Sequence, residues 1–173
     1  MNRSQDQETI KKISRSALIA TFYILLTILP PFYSFSYGPI QVRVAECLTV
    51  LPFLFPETIW GLGLGCFLAN LIGGLGFYDF FLGTLFTLIA GYLTSRVSYP
   101  FLAPLPPILV NSFGVSIYLC LWFKVPYFYS VFYIMLGETI ATYGVGYPLL
   151  MFLLTKLKYH RKERQSNCPK KQG

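Results

Sequence analysis

The chain opens on a polar stretch carrying Arg3, Lys11, Lys12 and Arg15 and then turns apolar for most of its length. The apolar runs are punctuated by Pro30-Pro31, Gly38-Pro39, Pro56, Gly73-Gly74 with Gly76, Pro100 with Pro104, Pro106 and Pro107, and Pro126. Proline has no N–H to give and its ring clashes with the preceding turn, so such positions end helices. The runs between them predict six helices, over residues 14–32, 43–55, 57–72, 80–97, 105–123 and 129–157. A helix crossing hydrocarbon needs about 20 apolar residues. The second and third runs are shorter than that, and are expected to meet at Pro56 in a tight helical turn.

Composition turns these helices into membrane spans. Of 173 residues, 54% are hydrophobic and 12% charged, with a mean hydropathy of +0.55. Between Arg15 and Lys156 the charged residues are Arg43, Glu46, Glu57, Asp79, Arg96, Lys124 and Glu138. That is too little charge for a water-facing surface, and the chain reads as an all-α integral membrane protein. The first run has a basic flank but no A-x-A-like cleavage site, so it is expected to stay as a helix. With six spans both termini share one side, and 12 of the 14 basic residues fall on that side. The positive-inside rule makes it cytoplasmic. The expected organisation is a cytoplasmic segment over 1–13, a six-helix membrane domain over 14–157 and a basic cytoplasmic tail over 158–173, the tail able to meet anionic lipid. The net charge of +7 therefore anchors topology, and no nucleic-acid partner is expected.

The same inventory argues against catalysis. His160, in the tail, is the one histidine, so no Ser–His or Cys–His pair and no H-E-x-x-H zinc site can form. Cys47, Cys66, Cys120 and Cys168 lack C-x-x-C spacing and read as small hydrophobes. There is no G-x-x-x-x-G-K-[ST] loop. No catalytic residue, metal site or cofactor is expected, and uphill movement of a substrate would need a partner or an ion gradient.

The isolated polar residues carry the functional signal. Arg43 and Glu46 stand three apart and share a helix face, as a structural ion pair or as part of a site. Glu138 has no basic residue within a helical turn and needs a donor from another helix or from a ligand. Asn70 and Asn111 suit either binding or helix bridging, and Asp79 either binding or capping of the fourth helix. Glu57 reads as a dipole partner at the start of the third helix. Tyr37 and Tyr78, in the external connections, are candidates for stacking a planar ligand. Small residues at helical spacing, Gly61, Gly65, Ala69 and Gly73 and then Gly83, Thr87, Gly91 and Ser95, let helices approach closely. Ser16 with Ala20, and Ala17 with Thr21, form similar pairs on the first helix.

Three stretches, P-I-Q-x-R-x-x-E from Pro39 to Glu46, A-N-L-x-G-G from Ala69 to Gly74, and Gly137-Glu138, resemble the QueT family over residues 16–154. These are queuosine-precursor transporters, substrate-binding (S) components of energy-coupling factor (ECF) transporters. The resemblance implies a six-helix bundle of the ECF S-component type. It implies high-affinity capture of a 7-deazaguanine derivative from outside, and transfer through an ECF transmembrane scaffold protein and two ATPase subunits. It gives Ala17, Ala20 and Thr21 a docking role. A guanine edge presents two adjacent N–H donors that one carboxylate can accept, which suits Glu138. A 7-aminomethyl group would want a second carboxylate, Glu46 or Asp79, and O6 a donor from Asn or Arg. The alternative is a stand-alone carrier of another small polar solute, working without an ATPase.

Overall fold

The computed structural model describes residues 3–29, 43–74 and 77–166, and every regular element among them is helical. α1 spans Arg3–Ile28 and α2, a 3₁₀-helix, Val44–Phe53. α3 spans Thr58–Ile72. α4 begins in a wide π-turn over Asp79–Gly83 and continues as Thr84–Arg96. α5 spans Leu105–Phe123. α6 starts as Tyr127–Thr139, widens into π geometry over Ile140–Gly146 and ends as Tyr147–Ser166.

Polarity is arranged opposite to that of a water-soluble domain. Leu18, Phe22, Leu64, Phe81, Ile117, Phe132 and Phe152 are exposed, while Glu46, Asn70, Asp79, Asn111, Ser116, Glu138 and Thr142 are buried. Lipid is as apolar as leucine, so helices in it associate through close packing and interior polar contacts. Two helical stretches, Pro100–Trp122 and Tyr127–Leu157, are long and apolar enough to cross a membrane, and Val44–Phe53 and Thr58–Ile72 are shorter apolar helices.

α2 is the central element, with Ala45 through Pro52 all buried. It is a 3₁₀-helix with Pro52, which has no N–H to offer a helical ladder, inside it. Its rise of about 2.0 Å per residue stretches a short run further than an α-helix would. Its first turn is closed by the Glu46 N–H, which donates to the Arg43 carbonyl at 3.0 Å. At its end, Leu54 and Phe55 both donate to the Leu51 carbonyl and turn the chain towards α3.

Glycines set the helix separations. A Cβ on Gly61 would lie 2.2 Å from the Ser16 carbonyl oxygen, and one on Gly65 would lie 3.0 Å from that of Ala20. The ladder read on the third helix is thus the seat of α1. Gly146 does the same for α6 against α2, since its Cβ would fall 2.7 Å from the Cys47 carbonyl oxygen. Glu57 has a larger role than the expected dipole partner. It accepts from Arg15 at 3.0 Å, and its carbonyl accepts from Ser16 Oγ at 2.7 Å, tying α1 to the start of α3. Helix also runs past both expected limits of the membrane domain, from Arg3 and on to Ser166.

Candidate functional site

Side chains from α1, α2, α5 and α6 meet in one buried polar cluster, each from the stripe its helix turns inward. On α1 that stripe is Ile19, Ala20, Tyr23 and Thr27, and Tyr23 donates its hydroxyl proton to Glu46 Oε1. On α5 Asn111 donates to Glu138 Oε1 at 2.8 Å and lies 3.4 Å from Glu46 Oε2. One amide thus stands between two carboxylates that enter from α2 and α6. Glu138 is 7% exposed, and its Oε2 has no hydrogen-bond partner among the described residues. Half-buried Arg43 lines the same cavity, together with Gly83, Thr87, Val115, Tyr118 and Ile134.

A second cluster adjoins it. Tyr118 donates to Asp79 Oδ1 at 2.5 Å, and Asn70 Nδ2 donates to the Asp79 carbonyl at 3.0 Å. Asn70 Oδ1 is buried without a partner among the described residues. Gly83 makes room for this amide, since a Cβ there would sit 3.1 Å from Asn70 Nδ2. The π-turn at Asp79–Gly83 is the local cause, because it re-aims the first residues of α4 towards α3 and α5. The cavity measures about 30 Å³. That holds water, but falls far below the roughly 300–1,000 Å³ of a small-molecule pocket, so a ligand would enter only as the lining moves apart.

The sequence candidates divide accordingly. Arg43, Glu46, Asn111 and Glu138 line the cavity, and Asp79 and Asn70 sit behind Tyr118 and Gly83. The Asp79 carboxylate is engaged by Tyr118. Tyr78 does not line the cavity, because its ring stacks on Trp122 at 4.2 Å and 27° and is 38% exposed. Tyr37 lies outside the described residues. Ala17 and Thr21 are exposed, but Ala20 is turned inward onto Gly65. Tyr23, Thr87 and Tyr118 were not among the candidates. Two of them are tyrosines in mid-span, away from the helix ends where a membrane belt places them, and that was the available signal. Among the described residues no cluster of three or more His, Cys, Asp or Glu could hold a metal ion.

An apolar exterior around a buried cluster of carboxylates, amides and hydroxyls is the arrangement of a helical membrane protein. The QueT transporter family matches residues 13–155, and the chain belongs to that family. It is also 36% identical over 73 residues to "Queuosine precursor transporter QueT" of Lactococcus lactis subsp. cremoris (strain MG1363), a match covering 42% of this chain and 43% of that protein. The match therefore spans less than half of that relative. No solved structure matches the chain.

Proposed function

We propose that this protein is a multi-pass membrane binding component for uptake of a queuosine precursor. It captures a 7-deazaguanine derivative with high affinity and delivers it to an ECF module. The name borne by the Lactococcus relative supports the ligand class. The observation that carries the reading is buried Glu138, whose Oε2 has no hydrogen-bond partner among the described residues while Asn111 joins its Oε1 to Glu46 in a cavity lined by Arg43. A buried carboxylate oxygen without a donor is costly, and a ligand N–H removes that cost. In the bound state Glu138 accepts from N1–H and the exocyclic amine. Arg43 donates to O6, and Glu46 or, through Tyr118, Asp79 faces a 7-aminomethyl cation.

Docking on the scaffold is assigned to the exposed side of α1. An apolar groove there runs between α1 and α3 past Ile13, Ala17, Trp60 and Leu64, with Trp60 74% exposed. Equilibrium binding of 7-aminomethyl-7-deazaguanine to the purified chain in detergent tests the site. Tight binding that Glu138→Gln lowers by about a hundredfold or more is expected, on the scale of a lost hydrogen bond to a charged group. A folded wild-type chain that does not bind overturns the reading.

A further inference from the structure

The cavity's hydroxyl protons are already committed, and this constrains which ligand substituent it accepts. Tyr118 lines the cavity and is 3% exposed. A phenol has one proton, and Tyr118 gives it to Asp79 Oδ1 at 2.5 Å, a bond of the stronger, charge-assisted kind. Its oxygen is left with lone pairs only, so towards a ligand it accepts and does not donate. Thr87, on the same wall, is within 2.9 Å of the Gly83 carbonyl and donates to it, leaving its oxygen an acceptor as well. Asp79 is held in turn by the π-turn and by Asn70 on its carbonyl. The amide of Asn111 is engaged by Glu138 and Glu46. One wall of the cavity therefore presents acceptors.

We propose that Tyr118, with its proton fixed by Asp79, is a specificity-determining acceptor that selects a ligand bearing a protonated amine. A nitrile at the same position points its own lone pair at the phenol oxygen and leaves both acceptors unpaired, a mismatch that binding sites reject strongly. Asp79 acts through Tyr118 and is a positioning residue. The inference rests on the reading of the cavity as a 7-deazaguanine site, and it deepens that reading by assigning the 7-substituent.

The test compares affinities for 7-aminomethyl- and 7-cyano-7-deazaguanine on the purified chain in detergent. Wild type is expected to prefer the aminomethyl compound by about tenfold or more, the scale of one charge-assisted hydrogen bond. Tyr118→Phe is expected to cut that ratio by about tenfold, through weaker aminomethyl binding, with cyano binding nearly unchanged. The double variant Tyr118→Phe/Asp79→Leu removes both partners, leaves no carboxylate stranded, and is expected to show the same ratio as the single variant. An unchanged ratio, or an equal loss for both ligands, overturns the role of Tyr118. A wild-type chain that binds both compounds equally well overturns the inference alone, whereas one that binds neither removes the ligand class and the inference together.

Discussion

Asn111 bears on two carboxylates at once, which makes it the most sensitive neutral residue of the cluster. Asn111→Leu leaves Glu138 Oε1 without its 2.8 Å donor and Glu46 Oε2 without its 3.4 Å neighbour. The substitution is expected to lower unfolding stability in detergent by about 1–3 kcal/mol and ligand affinity by about tenfold or more. A thermal midpoint equal to wild type would remove Asn111 from this role. Tyr23→Phe separates support from contact, since Tyr23 bonds Glu46 from the α1 side and does not line the cavity. It should lose about 1–3 kcal/mol of stability while changing affinity much less than Glu138→Gln does, measured by the same two assays. At this scale much was legible beforehand, because a charge or amide inside an apolar run is conspicuous and costly. Glu46, Asn111 and Glu138 stood out for that reason. The tyrosines did not, since a phenol on an apolar helix also serves as ordinary core or belt, and only the tertiary fold shows that Tyr23 and Tyr118 meet carboxylates from other helices.

Glycine spacing governs the elements, and three glycines separate close packing from mere helix propensity. Gly61→Ala places a Cβ 2.2 Å from the Ser16 carbonyl oxygen, and Gly146→Ala places one 2.7 Å from that of Cys47. Backbone cannot retreat as a flexible side chain can, so each is expected to cost about 1–3 kcal/mol. Gly146→Ala should also weaken binding, because it pushes α6 away from the helix that carries Glu46. Gly144→Ala, on the same π segment, meets nothing within 4 Å. It is expected to be neutral or to stabilise by up to about 1 kcal/mol through helix propensity. Denaturation of all three variants in one detergent decides this, and equal losses would show that the whole segment resists side chains regardless of space. Helix limits were readable where prolines and polar residues coincide, and α5 occupies the expected 105–123 as Leu105–Phe123. The 3₁₀ form of α2 and the π-turns before α4 and within α6 were not readable, because they arise from helix-to-helix fit and leave the hydropathy pattern unchanged.

For the whole molecule, the question is what a binding bundle can do alone. Its sequence holds no P-loop, so it has no nucleotide-driven step of that kind to couple to the ligand. The exposed α1 face, with Ala17 and Thr21, is continuous with its basic end at Lys11 and Lys12. A scaffold approaching that end of the bundle would meet the groove beside Trp60 there. Proteoliposomes containing the chain alone are expected to bind labelled 7-aminomethyl-7-deazaguanine up to one molecule per chain without concentrating it inside. Accumulation should appear only with the scaffold and both ATPases present, and ATP on their side. Trp60→Ala and Ala17→Leu, which change the groove and leave the cavity untouched, should lower that accumulation several-fold while binding in detergent stays at the wild-type level. Accumulation by the chain alone would instead make it a stand-alone carrier, because bound ligand can be concentrated only if a free-energy source acts on the protein that holds it.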